Sequence, residues 1–223
     1  MSYQLYGAAL SPFVRKTRAF LMEKGLEFHA IHVDPFNLPA DYTDLNPLKR
    51  IPSLRDDYLT LTDSAIICAY LKQHTPNPSL YPSTPYAYAR CLWFEKYADY
   101  EIAPQATFRV FRQRLLMPLI GKQCREEEVQ KALTEVLPPL LDYLQKHLEG
   151  REFLVDDNLT VADIALASQF ANLEHGGESA LLDAWPSVKA HRDRLLARDS
   201  FAQLLGGERR FVEKVRQAKS GSE

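Results

Sequence analysis

Pro76, Pro78, Pro82 and Pro85 all fall within residues 75–85. Proline lacks an amide hydrogen and has a fixed φ, so this stretch forms neither helix interior nor sheet interior. It separates two unlike patterns. Before it, strand-like and helix-like runs alternate; after it, nearly everything has helical periodicity. The chain therefore reads as an α/β domain over residues 1–80 and an all-α domain over residues 86–218, with a frayed tail from Lys219 to Glu223. Its 223 residues suffice for two modest domains.

Within the first part, residues 3–6 read as a short strand. Residues 12–24 read as a helix, with Pro12 at its first position, Phe13, Thr17, Phe20, Leu21 and Lys24 on one side, and Gly25 as the stop. Residues 27–33 form a second strand. Residues 34–49 are polar and proline-bearing, a loop with room for one irregular turn of helix. Residues 53–55 and 58–61 read as strands joined at Asp56-Asp57, and residues 63–74 as a helix. In the second part, Thr84-Pro85 is a cap followed by a first-turn proline. Helices are expected at about 85–117, interrupted near Pro104, and about 125–148, bent near Pro138-Pro139. Shorter ones follow at about 160–173, 186–197 and 208–218.

Composition excludes several classes. Hydrophobic residues make up 46% and charged residues 25%, as in ordinary globular proteins. A formal net charge of -2 offers nothing to nucleic acid or to an anionic membrane. No run approaches the roughly 18 apolar residues of a membrane span, and the N-terminus lacks a signal-peptide pattern. Cys68, Cys91 and Cys124 form no CxxC pair, and the six histidines are scattered, so no metal is expected. Cys68 sits in an apolar run and reads as a core residue. A sparse, odd set of cysteines suits the cytoplasm.

Ser11 lies at the strand-to-helix turn, beside the free N–H groups of a helix start, a place that polarises an anion such as a thiolate. Ile51-Pro52 precedes the third strand. Asp63-Ser64 opens the third helix, where a hydroxyl and amides suit a carboxylate and the acid suits an ammonium. Thr160-Val161-Ala162-Asp163 has capping-box spacing, with Asp in place of Glu or Gln.

These motifs, in this order across the proline-rich linker, resemble the signatures of cytosolic glutathione transferases over nearly the whole chain. The resemblance implies a thioredoxin-like N-terminal domain, an all-helical C-terminal domain and a homodimer. It implies glutathione as co-substrate. Ser11 would be the thiol-activating residue, and Phe13, Arg50, Ile51, Pro52, Asp63 and Ser64 would form the glutathione site. Ile51 would pair through its main chain with the cysteinyl part, beside a cis proline. The family pattern has glycine then lysine where this chain has Lys49 and Arg50, and glutamate where it has Asp63. Arg50 would face the glycyl carboxylate, and Ser64 and Asp63 the γ-glutamyl group.

The energetics are consistent with this role. A free thiol has a pKa of about 8.5. Lowering it by roughly two units takes about 2.7 kcal/mol, the order of one hydrogen bond to a charged group, about 1.5–3 kcal/mol. Ser11 also reads as a simple cap, and both roles are compatible. Arg15, one turn later, reads either as a support for the site or helix packing, or as a solvated first-turn side chain. Phe13, Trp93, Tyr97, Tyr100, Phe108 and Phe111 are candidates for an apolar pocket. Trp93, Tyr97 and Phe108 are the chosen lining for a small hydrophobic electrophile, though most aromatics at such spacing are core or dimer contact. The resulting reading is conjugation of glutathione thiolate to small apolar electrophiles. Two alternatives stand beside it: glutathione-dependent isomerisation or peroxide reduction, and a non-catalytic protein of this fold that binds a regulatory partner.

Overall fold

The computed structural model describes residues 2–220, with side chains as far as 218. Strands β1 (Tyr3–Gly7), β2 (Phe28–His32), β3 (Ser53–Arg55) and β4 (Thr60–Thr62) form one sheet in the order β2-β1-β3-β4. β1 pairs parallel with β2, across the crossover helix α1 (Pro12–Glu23). β3 pairs antiparallel with both β1 and β4. Tyr3 and Leu5 alternate inward with the pleat and meet buried Leu54. At the exit of β1, a methyl on Gly7 would come within 2.4 Å of Val14 Cγ2, so only glycine lets the strand end abut α1.

A short helix α2 (Tyr42–Leu45) fills the one turn expected in the loop. β4 begins later than residue 58, because Asp56 Oδ1 accepts the amides of Tyr58 (2.8 Å) and Leu59 (2.9 Å) and lengthens the turn. Helix α3 (Ser64–His74) completes the domain, with Cys68 in the core as expected.

The helical part of the chain starts where the cap pair places it. Helix α4 (Pro85–Tyr97) opens with Ala87 N donating to Thr84 Oγ1 at 3.3 Å. The chain stays helical through Ala98–Ile102 and Pro104–Leu116 to α5 (Met117–Leu119). Pro104 does not interrupt it. The turns widen instead, with Ala103 N–H reaching Ala98 O and Met117 N–H reaching Arg112 O, five residues back. Helix α6 (Glu126–Lys131) passes through a similar wide turn at Ala132–Val136 into α7 (Leu137–Leu148).

Helix α8 (Val161–His175) is the central pillar, buried almost all round and packed by α1, α4 and α9 (Pro186–Leu196). Its cap is stronger than sequence spacing suggests. The fully buried Asp163 accepts from Thr160 N and Thr160 Oγ1 (both 2.9 Å), Leu154 N (2.8 Å) and His191 Nε2 (2.8 Å).

The last helix, α10 (Asp199–Ser220), begins well before residue 208 and absorbs Lys219 and Ser220 of the expected tail. Residues 221–223 lie outside the described residues. Gly206 and Gly207 disfavour helix locally, but buried Phe201, Leu204, Leu205 and Val212 hold it. Among the described residues no helix is long and apolar enough to cross a membrane.

α1 is the hinge-pin between the domains, and its burial is not one-sided. The reading of Arg15 as a solvated residue is wrong: its side chain is 0% exposed and ion-paired with Glu208 of α10. Lys16 Nζ bonds Glu95 Oε1 (2.9 Å) and Asp99 Oδ2 (2.7 Å). Burial alone would depress that ammonium, but Asp99 and Glu95 outweigh it and hold it above the ordinary lysine value. At the other end of α1, Glu23 takes Arg198 and Ser200.

Candidate functional site

The register of the sheet gathers the three motif loops. Tyr6 stands beside Ser53, and Ser53 beside Thr62. The turn carrying Ser11, the bond before Ser53 and the turn after Thr62 therefore leave the same end of neighbouring strands. Two strand spacings of about 4.8 Å make a row about 10 Å wide, close to the reach of an extended tripeptide at about 3.3–3.6 Å per residue.

Ser11 has extended backbone (φ -72, ψ 126) and caps α1, accepting from Val14 N at 3.4 Å. Its own amide donates to Ala8 O at 3.1 Å, and Arg15 N donates to Ser11 O at 2.9 Å. The long cap bond leaves the hydroxyl hydrogen uncommitted: among the described residues no bond is found in which it donates. The capping role read in the sequence is thus present, and the geometry leaves the hydroxyl free to donate elsewhere.

Ile51-Pro52 is cis, as the resemblance implies. The loop before it is fixed by two residues that the sequence reading gave no role. The Arg50 carbonyl accepts from Tyr42 Oη (2.9 Å) and Asn46 Nδ2 (2.7 Å), and Asn46 Oδ1 accepts from Leu48 N (2.9 Å). Asn46-Pro47, a turn-initiating pair, was the available signal. Lys49 lies at φ 54, the left-handed region in which glycine is at home, so its departure from the family pattern keeps the glycine backbone shape. Arg50 is exposed.

Asp63 also has positive φ, at 74, and its Oδ1 accepts from Ala65 N (2.8 Å) and Ile66 N (3.3 Å). A residue held there costs about 1–3 kcal/mol, a common mark of functional turns. Ser64 is 3% exposed, and its hydroxyl has no hydrogen bond among the described residues.

Beside Ser11 the wall is apolar. Half-buried Leu10, Leu116 and Val215 pack on buried Phe111, Leu115 and Val212, so the Pro104–Leu116 segment and α10 both reach the site. Phe13 stacks on Phe108 with ring centroids 6.3 Å apart and planes at 29°.

Trp93 and Tyr97 are not part of that wall. They precede Phe108 by 15 and 11 residues on continuous helix, about 22 and 16 Å along its axis. They pack instead on Tyr143 of α7: Trp93 Nε1 bonds its hydroxyl at 3.0 Å, and the Tyr97 ring lies 5.1 Å from it. Trp93, Tyr97 and Phe108 therefore do not share one lining. Leu10, Leu115 and Val212 were missed because single aliphatic residues carry no chemical signal. A crevice of about 420 Å³, flanked by Arg114, Cys124, His175 and Arg216, shares Leu115 with that wall but contains none of the motif residues.

Known proteins agree with this architecture. Residues 5–79 match the family model described as Glutathione S-transferase, N-terminal domain, and residues 111–206 the one described as Glutathione S-transferase, C-terminal domain. Glutathione S-transferase 3 of Zea mays is 32% identical over 209 residues, covering 91% of this chain and 92% of the maize protein. A stringent starvation protein A homolog of Haemophilus ducreyi is 25% identical over 197 residues, covering 87% and 86%. The crystal structure of a glutathione S-transferase from Rhodospirillum rubrum F11 superposes with a TM-score of 0.84 at 28% identity, covering 91% of each chain. With both of its domains matched and the motif loops gathered at one end of the sheet, the chain belongs to the glutathione S-transferase family.

Proposed function

We propose that this enzyme activates glutathione at Ser11 and conjugates it to small apolar electrophiles. The observation that carries the reading is the row itself. A capping hydroxyl at the start of α1, a cis Ile51-Pro52 bond and the Ser64 hydroxyl, unbonded among the described residues, stand along about 10 Å of one sheet end. Ser11 donates to the thiolate. Ile51 offers main-chain groups to the cysteinyl unit, as an added strand would use them. Ser64 and the amides of α3 take the γ-glutamyl carboxylate, Asp63 faces its ammonium, and Arg50 the glycyl carboxylate. The sulfur then attacks an electrophilic carbon held against Phe13 and Phe108, forming the S–C bond as a leaving group departs or a proton is taken up.

Isomerisation and peroxide reduction draw on the same thiolate and differ only in the partner molecule. The non-catalytic reading has one observation in its favour, the likeness to a stringent starvation protein A homolog. It loses the argument from Lys49 and Asp63, since both residues hold backbone shapes that keep the cleft formed.

The proposed homodimer has an outward face available to it. Tyr86 (78% exposed), Trp93 (52%) and Tyr100 (64%) recur every seven residues along the helical run, and Ile66 of α3 is also exposed. Among the described residues Cys68, Cys91 and Cys124 form no disulfide, which fits the proposed cytoplasmic location.

Calorimetric titration with glutathione tests the central reading. Wild type is expected to bind. Ser64→Ala should weaken binding, and Ser11→Ala should retain binding while turnover drops and the bound thiol titrates higher. No heat at millimolar glutathione would favour the partner-binding reading, and full turnover in Ser11→Ala would move activation to another group.

A further inference from the structure

Arg15 lies at the centre of a buried polar hub that the reaction as read above does not use. Its guanidinium meets both carboxylate oxygens of Glu208, with Nε 3.2 Å from Oε1 and 3.0 Å from Oε2 and Nη2 also on Oε2. Its Nη1 donates to Ser168 O (2.8 Å) and Asn172 Oδ1 (2.9 Å) of α8. Asn172 Nδ2 passes on to Thr107 Oγ1 (3.2 Å), which donates to Gln169 Oε1 (2.7 Å). His175 Nε2 completes the Glu208 side at 3.0 Å.

Three members of the hub also adjoin the proposed reaction site through their own chain segments. The Arg15 amide is bonded to the Ser11 carbonyl at 2.9 Å. Thr107 is the neighbour of Phe108, whose ring stacks on Phe13. Glu208 is one helical turn before Val212, which packs in the cluster that holds Leu10. Among the described residues none of these bonds runs to residues 46–66, where the rest of glutathione would be gripped. A buried ion pair adds little net stability over apolar side chains of the same size. Its rigid, forked geometry instead fixes how the partners are oriented.

We infer that Arg15, Glu208, Asn172 and Thr107 are positioning residues. They set the Ser11 hydroxyl against the acceptor wall, so that changes among them alter acceptor use while leaving the grip on glutathione intact. This rests on the reading of Ser11 as the thiol activator. A displacement of about 1 Å at a reacting centre is enough to cost up to about 100-fold in rate, and the hub is one hydrogen bond from Ser11.

The test uses the full chain as wild type, Glu208→Gln, Arg15→Lys and Thr107→Val. Calorimetry gives glutathione affinity, ultraviolet absorbance gives the titration of the bound thiol, and steady-state kinetics use chlorodinitrobenzene as the probe acceptor. For Glu208→Gln and Arg15→Lys, the acceptor KM is expected to rise and kcat to fall by about 3- to 10-fold each. Glutathione affinity should stay within about twofold. Thr107→Val leaves the ion pair whole and should fold; its acceptor KM should rise by about 2- to 5-fold with kcat nearly kept. It decides the matter if the ion-pair variants do not fold.

Wild-type acceptor KM in Thr107→Val and in the folded ion-pair variants overturns the inference. So does a loss of glutathione affinity equal to the loss in acceptor KM. If wild type binds no glutathione, or Ser11→Ala keeps full turnover, the reading of the site falls and takes this inference with it. A sound wild type with unaffected hub variants sinks the inference alone.

Discussion

The two ends of the cleft are built from different materials. The end proposed to bind glutathione is made of backbone: a helix cap at Ser11, a cis bond at Ile51-Pro52, a left-handed Lys49 and a positive-φ Asp63. The acceptor end is made of side chains, where Leu10 and Phe13 meet Phe108, Phe111 and Val212 from the second domain. Backbone features have short, local causes and leave motifs in the sequence. A wall assembled from three distant segments leaves none. Under the proposed function the same contrast would separate what each end does: one would hold a constant co-substrate, and the other would be free to vary with the acceptor.

The largest effect should come from the side-chain end. Arg15→Ala leaves the Glu208 carboxylate buried without its cation and should cost about 3–5 kcal/mol in urea unfolding. The pH dependence has a definite sign. Burial by itself would raise the Glu208 carboxyl, but Arg15 and His175 outweigh it and hold it below its usual value. Its stabilisation is therefore present above the ordinary carboxylate value of about 4.3 and is lost as pH falls through the folded value. Glu208→Gln should flatten that acid limb, and an unchanged acid limb would remove Glu208 from the account.

At the backbone end, Ser64→Ala should weaken glutathione binding by about 10- to 100-fold, the loss of a hydrogen bond to a charged group. Unfolding should barely change, because that hydroxyl bonds no protein group among the described residues. A large fall in stability would mean that Ser64 serves the fold. A smaller shift is expected from Phe108→Ala. Losing the ring pair should raise the acceptor KM by about 2- to 10-fold with glutathione affinity unchanged; parallel losses would erase the division between the ends. Smallest is Lys49→Gly, which relieves a left-handed side chain and should stabilise the protein by up to about 1 kcal/mol. Destabilisation there would show that the lysine stem packs.

Much of the first domain was legible because its signals are local. Pro12 and Gly25 bracket α1 as its sequence suggests, and Gly25 has the positive φ of a helix stop. Thr84-Pro85 opens α4, and Asp163 caps α8. Long-range causes were not legible. Arg15 reads equally as a packing residue or a solvated one until residue 208 is known to lie beside it. Gly206-Gly207 argues against the helix that Leu204 and Leu205 impose by packing. Trp93 and Tyr97 share Phe108's helix, and only distance along the axis separates them from its pocket.

The cations of α1 have a consequence for how this protein is made. Lys16 waits for Glu95 and Asp99, and Arg15 for Asn172 and Glu208. On a ribosome that has released only the first eighty residues, two charges destined for the interior have no counter-ions. The domain proposed to grip the tripeptide is thus complete in sequence long before it is complete in energy, and its last bolt arrives only with α10.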